Sequence, residues 1–574
     1  MLRHESTAVR ILFAPFVVLV LAAPFSSAPA LANLLDRPRD PVVMTGAQLP
    51  GLVGARPDLI VGFRREGSWV RIPVQVDERA NVDFTTIYHV TFYDFLIPSG
   101  YKVLTYTDPS TWTGPDPNPA FDDDDELVFM AREAGDQRAR GSQPAGTVPG
   151  SGVEVTVTNP LNGRVGYVYL FRSDGSLGRG PWPDPVTNSF YLLPNGAPYK
   201  GKYNTRQGPN PENTLITSAN YSLHFSDRWR CDAMRITAPG ASGVDILDDR
   251  KIRYNPTTCV RSERGFSFGE GAIMVSREGS VRALRGYCGA NSGPTTYRVH
   301  KFYDGREDVV TTLRLHPTTD GLMDFFDYAP AATGMIYRNN LNPQGVVIDG
   351  SKDLVRAGQI QWEMVTGPQG TLVMTHVFRT DIPGFKYTSY YQDASLAPNA
   401  QCSGDSSEYG ASGVRLTDPT PNTDPLLDYI FRSHRNFEYT RVIAYDSPGK
   451  GPALAQARVQ EALQPPTATA TPYVPSTQTA SAGDPGSAEF QLAIGPQPLY
   501  GQANVDLTLP AEGELSLQVL DVTGRSVATL ARGRMAAGRH EFAVLTAGLR
   551  PGIYFARARL EGHGERVVRF LLLL

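Results

Sequence analysis

Short runs in which apolar and polar residues alternate recur along almost the whole chain. Each is closed by glycine, proline, asparagine or aspartate; residues 69–77, 153–157, 167–171, 271–275, 297–303, 309–315 and 372–378 are examples. A period of two sends successive side chains to opposite faces, the pattern of a half-buried β-strand. The punctuation is dense, with 55 glycines and 46 prolines in 574 residues. It leaves little room for long helices, and helical periodicity is confined to residues near 453–463. The expected fold class is therefore mainly β, a large β-sandwich-type region with a small C-terminal sandwich behind it. Hydrophobic residues at 41% suffice for packed cores and exclude global disorder. A net charge of −4 gives no basic footprint and speaks against nucleic-acid binding.

The front of the chain reads as an address. Arg3 and Arg10 precede an apolar run over residues 11–23, and Ala30-Leu31-Ala32 follows with signal-peptidase spacing. Residues 1–32 are expected to be a secretory signal, because the run is too short to span a membrane and Pro15 and Pro24 interrupt it. Four cysteines remain behind it: Cys231, Cys259, Cys288 and Cys402. In an oxidising compartment an even number suggests two disulfides. Three pairings are possible. Cys231–Cys259 with Cys288–Cys402 is preferred because the first closes the shortest loop. No Cys-x-x-Cys spacing is present, which disfavours a zinc ribbon or a thioredoxin-like site.

Residues 461–489 are rich in proline, threonine, serine and alanine. They are expected to form an extended, solvated linker. Alternation resumes beyond them, at Val505, Leu507 and Leu509, at Leu515, Leu517 and Val519, and at Ile553 and Phe555. Turns every eight to twelve residues describe a small sandwich over 490–574. Gly495-Pro496-Gln497-Pro498 stands ahead of the first strands. Residues 515–525, ending Asp521-Val522-Thr523-Gly524-Arg525, come next, then Ala537-Gly538-Arg539-His540 and residues 549–557. This order resembles the C-terminal sorting domain of the bacterial type IX secretion system, which is similar to the immunoglobulin-like domain of the flagellar hook-capping protein. The resemblance implies an immunoglobulin-like sandwich, export by the type IX machinery, and display on the outer-membrane surface rather than a membrane-spanning segment. Gly524, Gly538 and Gly552 are expected at turns that need positive φ.

Between these ends lies the cargo, divided by the sequence reading into an N-terminal β-rich subdomain over 33–150 and a central sandwich over 151–460. Its sharpest feature is acidic. Asp116-Pro117-Asn118 leads into Asp122-Asp123-Asp124-Asp125-Glu126. Consecutive carboxylates repel one another unless neutralised, and hard oxygen donors on one loop suit Ca²⁺. Asp116, Asn118, Asp122 and Asp124 are expected as alternate ligands, with Asp125 or Glu126 adding a bidentate carboxylate. A solvated acidic loop is the competing reading. The chain lacks a Gly-x-Ser-x-Gly elbow and a His-Glu-x-x-His motif. Gly196–Lys202 resembles a phosphate loop only in part, since Tyr203 stands where Ser or Thr is needed. No nucleotide or redox cofactor is expected.

A second feature is a hairpin about Asp304-Gly305, a good two-residue turn. Arg298 with His300 and Arg314 with His316 flank it, each pair two residues apart and so on one strand face. With Tyr303 these residues could meet a carboxylated sugar, His300 or Tyr303 acting as base in a β-elimination. Polar strand faces of ordinary structure carry the same residues. Two readings of the cargo stand: a glycan-binding or structural protein, and a polysaccharide lyase or glycoside hydrolase. Asp324, Asp327, Glu363 and Glu408 are the carboxylates available to the second.

Overall fold

The computed structural model describes residues 34–84, 102–137, 143–178, 180–191, 212–254, 272–289, 296–312, 322–380, 382, 384–395, 408–417, 437–473, 490–495, 499–500, 502–545, 549 and 552–573. The expected signal at 1–32 lies outside them. The chain is mainly β, and its strands divide between two compact units, Met1–Ser476 and Thr477–Leu574. No helix among the described residues is long and apolar enough to cross a membrane.

The larger unit begins with two facing sheets. A five-stranded sheet has the order Thr467–Pro472, Val153–Thr158, Val165–Arg172, Ile60–Glu66 and Ser68–Ile72. A three-stranded sheet orders Pro41–Thr45, Glu126–Met130 and Gln75–Asp77. Alternation decides what meets between them: Val42, Met44, Leu127 and Phe129 pack with Val155, Val157, Val168 and Leu170.

A nine-stranded antiparallel sheet forms the centre. Its strands run in the order Ala272–Arg277, Ala283–Cys288, Tyr297–Tyr303, Arg306–Thr312, Phe437–Asp446, Gly370–Thr380, Trp362–Gly367, Ile336–Asn339 and Asn342–Val347. Phe302, Val309, Met374 and Ile443 of this sheet share a core with Phe326 of a four-stranded sheet. That second sheet comprises Leu247–Tyr254, Leu322–Tyr328, Ala411–Thr417 and Lys386–Gln392. The Pro452–Leu463 helix covers part of the opposite face, seating Ala455 and Val459 on Met364 and Val373. It lies where helical periodicity was expected. Arg37 caps its C-terminal carbonyls, donating to Glu461 O at 2.8 Å and Gln464 O at 3.0 Å.

Two expectations are corrected here. No break falls at residue 150, because the strands at 153–158 and 165–172 complete the sheet begun by Ile60–Glu66. The opening of the 461–489 segment is not a solvated linker. Its Thr-Ala-Thr-Ala repeat is itself a period-two pattern, and Thr467–Pro472 pairs along Val153–Thr158 with Ala468 and Ala470 against the core. Tyr473 is buried among Trp69, Tyr169 and Phe171. Small inward side chains disguised a strand as low complexity. Residues 474–489 lie outside the described ones.

The second unit is a sandwich of a three-stranded sheet (Gln491–Gly495, Gln502–Leu509, Gly538–Leu545) and a five-stranded sheet (Leu499–Tyr500, Gly564–Leu573, Gly552–Leu560, Gly513–Asp521, Ser526–Met535). Val505, Leu507 and Leu509 face Leu515, Leu517 and Val519, as the alternation requires. Gly524 has φ 81° and Gly538 φ 120°, the left-handed turns expected of them. The face expected for Ile553 is reversed: Ile553 is exposed, while Tyr554, Ala556 and Ala558 point inward. Both faces of that strand carry apolar residues, and the core takes Tyr554, Ala556, Ala558 and Leu560.

Candidate functional site

The acidic loop splits into two chemistries. Glu126 opens the Glu126–Met130 strand and turns inward. It accepts from Arg79 Nη1 at 2.8 Å, Arg282 Nη2 at 2.6 Å and Tyr106 Oη at 2.6 Å. Burial alone would raise its carboxyl, but Lys301, Arg282 and Arg79 hold it well below the usual carboxylate range. Glu126 is thus a rivet to the nine-stranded sheet, and the structure removes it from the expected ligand set. Asp125 is wholly buried and accepts from the backbone N–H groups of Arg79 at 2.8 Å and Asp122 at 3.0 Å.

The remaining acids face one another. Ligand oxygens of Asp122, Asp124 and Asp125 lie within 4.8 Å. Burial, with Asp122 beside them, pushes Asp124 up to about 6; burial, opposed by the two N–H donors, pushes Asp125 up to about 7. One oxygen of Asp116 is enclosed without a partner. Asn118 donates to Asp122 at 2.7 Å and its own N–H meets Asp116 at 2.7 Å, so it ties the loop together. Crowded carboxylates with raised affinity for protons, and one orphaned oxygen, fit a hard cation.

The hairpin forms as expected. Tyr303 pairs with Arg306 across Asp304-Gly305, and Gly305 has φ 77°. Arg298 and His300 do share a face, and the register sets Thr311 and Val309 opposite them, with Glu307 next on that face. That face is the interior between the central sheets. His300 is fully buried, 2.7 Å from Glu307 Oε1 through Nδ1 and 2.9 Å from Tyr287 Oη through Nε2. Burial pushes its imidazole down to about 3. Arg298 donates to Thr311 at 2.8 Å, pairs with Asp324, and lies 5.1 Å from the Trp229 ring. Tyr303 points to the other face, where Arg282 donates to its hydroxyl at 3.1 Å. Arg314 and His316 lie outside the described residues. The expected catalytic set is corrected on this point: Arg298, His300 and Tyr303 are saturated core groups that a polymer cannot reach. Alternation had shown that Arg298 and His300 share a face; only the second sheet showed that the face is covered.

Among the other buried polar groups of the larger unit, Arg250, Tyr445, Arg441 and His376 were not singled out, whereas Asp324, Asp327, Glu363 and Glu408 were. Arg250 grips Glu307 with two bonds of 2.8 and 2.7 Å, and Tyr445 Oη adds a third at 2.9 Å. Arg441 reaches Asp324 at 3.0 Å and Tyr439 Oη at 3.0 Å. His376 pairs with Tyr439 Oη at 2.7 Å, and its Nε2 lies 3.1 Å from Glu363, too poorly aligned for a hydrogen bond. Asp327 accepts from Tyr409 N–H, and Glu408 from Tyr390. These carboxylates are thereby enclosed.

Cys231 and Cys288 are free, buried thiols, so neither disulfide expected for them is formed. Burial pushes both up to about 12. Each belongs to an apolar cluster, Cys288 with Ile273 and Tyr287 and Cys231 with Phe225 and Met234, where a thiol packs as a small hydrophobe. Cys259 and Cys402 lie outside the described residues.

An open cleft of about 520 Å³ is the site that sequence reasoning missed. Arg71 of the Ser68–Ile72 strand, Trp182 of the loop between Val165–Arg172 and Val186–Ser189, Asp58, Gln75 and the 277–280 turn line it. Arg71 lies 5.7 Å from the centre of the Trp182 ring. Gly180, at φ 104°, lets that ring lie against the backbone, since a Cβ there would come within 2.5 Å. Arg71 Nε and Trp182 Nε1 are both enclosed and lack acceptors. The sequence signal was a tryptophan between prolines, Pro181-Trp182-Pro183, in a segment without strand alternation.

No family model matches the chain, and no curated relative matches it. Similar solved structures include a polysaccharide lyase (9% identity, 62% of this chain and 47% of that one, TM-score 0.18). Another is a protein of glycosyl hydrolase family 38 from Enterococcus faecalis (7% identity, 89% and 56%, TM-score 0.34). A third is PorZ, a bacterial surface component of the type IX secretion system of Porphyromonas gingivalis (8% identity, 63% and 69%, TM-score 0.11). The chain spans about half the length of the first two. Likenesses this slight bear on no residue of the sites above.

Proposed function

We propose that the chain is an exported bacterial surface protein whose larger unit binds glycan and whose C-terminal sandwich serves as its sorting domain. The observation that carries the binding role is the open cleft holding Trp182, Arg71 and hydrogen-bonding side chains around them. An aromatic ring with nearby polar donors and acceptors is what sugar rings and hydroxyls require. The sorting role rests on the motif order from Gly495 to Arg557, on a unit folded as a sandwich. Ca²⁺ is the ion this reading places on Asp122, Asp124, Asp125 and Asp116, where it offsets their mutual repulsion and stiffens the loop.

A glycan array probed with the full chain tests the binding role; retention of bound sugars is the expected result, and a blank array overturns it. Removing residues 490–574 tests the sorting role, with accumulation inside the outer membrane expected. The enzyme reading would draw on Glu363 and His376, both enclosed between sheets. Release of reducing ends, or of unsaturated uronates, would move the balance to it.

A further inference from the structure

Arg71, like Arg172, is a half-buried arginine without a carboxylate partner among the described residues, and of the two it is Arg71 that lines the cleft. Its Nη2 donates to Gly178 O at 2.5 Å, its Nε has no acceptor, and no carboxylate lies within ion-pair distance among the described residues. Burial is what lowers its affinity for the proton, with no nearby anion to restore it. Arg64, Arg79, Arg282 and Arg306, by contrast, each meet at least one carboxylate at the surface or in the core. A guanidinium withdrawn from water without an anion is held at a cost, and a planar carboxylate is its natural partner.

Four acids line the cleft, Asp58, Asp77, Asp184 and Glu278, and none lies within ion-pair distance of Arg71. Asp58 is held by Arg56 at 3.0 and 2.6 Å, and Asp77 by Arg282 at 2.8 Å and Gln75 at 2.8 Å. Glu278 accepts from the backbone of Asn188 at 2.9 Å. Trp182 flanks the Arg71 guanidinium, its ring centre 5.7 Å away.

From this geometry we infer that the cleft is a subsite for a carboxylated sugar, the carboxylate of a uronate residue meeting the Arg71 donors and a neighbouring hydroxyl accepting from Trp182 Nε1. The inference rests on the glycan-binding reading and sharpens it to acidic chains.

Isothermal titration of the full chain with trigalacturonate, its methyl ester and neutral galactotriose decides the matter. The acid should bind at least roughly tenfold more tightly than the ester, since charge-assisted bidentate pairs exceed neutral ones by about that margin. Arg71→Gln should erase the preference, and Arg71→Lys should keep part of it, with melting temperatures unchanged. Should Arg71→Gln fail to fold, the acid-to-ester ratio of Arg71→Lys against the native chain gives the answer. Equal binding of acid and ester, or an undiminished preference in the variants, overturns the inference. Binding of the neutral sugar alone overturns it while sparing the glycan reading. Trigalacturonate, its ester, the neutral trimer and a wider array all failing to bind would sink both.

Discussion

The two units are both built of packed β-sheets, yet their interiors rest on opposite principles. The C-terminal core is apolar throughout its described residues, with Leu507, Leu517, Ala558 and Phe570 at its centre. Its ion pairs, such as Arg534–Glu512 and Arg539–Asp506, lie at the surface. The larger unit instead carries a charged stripe across the inner face of its nine-stranded sheet: Arg285, Arg298, His300, Glu307, Arg441, His376 and Glu363, all buried. Apolar side chains fill the core of the small sandwich, whereas the large one also depends on mutual saturation of desolvated charges. A buried pair can cost more than it returns, but removing one partner leaves the other stranded. Such a stripe fixes sheet register, because a slip by one residue would face Arg298 and His300 away from Asp324 and Glu307.

The largest expected effect is on that stripe. Glu307→Ala strands Arg250, His300 and Tyr445 together and should cost the larger unit about 3–5 kcal/mol in chemical denaturation. Replacing Arg250 and Glu307 together by Met and Leu should recover most of the loss; failure to do so would mean that the stripe stabilises through more than mutual neutralisation. In the C-terminal unit Leu517→Ala should cost about 2–5 kcal/mol and lower only that unit's melting transition. A shift of both transitions would end the view that the two cores are independent.

Acid should separate the two units next. His300 is held neutral down to about 3 by burial, opposed by Glu307 and assisted by Arg250 and Arg285. An unfolded histidine takes its proton near 6.5, so the stability this group contributes is complete above about 6.5 and is lost as pH falls toward about 3. Glu307, held below its usual range once Arg250 outweighs its burial, works in the same direction. The larger unit should therefore lose stability through this window, and His300→Gln should flatten the slope. Ca²⁺ should raise the melting temperature of the larger unit by a few degrees, an increment that Asp122→Asn together with Asp124→Asn abolishes. Smallest of all, Arg534→Ala at the exposed pair with Glu512 should change stability by less than about 0.5 kcal/mol.

How legible these features were follows from their range in sequence. The hairpin at Asp304-Gly305, the helix at 452–463 and the facing of Leu507 and Leu517 are local, set by turn chemistry and by side-chain period. Thr467–Pro472 was hidden because its inward residues are alanines, whose burial is decided by Val155 and Val157 more than three hundred residues earlier. The acidic run was visible as a concentration of charge. That Glu126 would leave it depended on Arg282, and that Arg298 and His300 would be sealed depended on Asp324 and Glu307 facing them. The Arg71–Trp182 cleft joins segments more than a hundred residues apart, with no motif to announce it.

Composition and periodicity by themselves determined a β-protein with a separate C-terminal sandwich, because strand alternation and turn residues act over a few neighbours. Only the tertiary structure decided which charged faces meet water and which meet each other. Strand period fixes the side of a sheet on which a residue stands, while its solvation depends on what another, distant strand brings to that side.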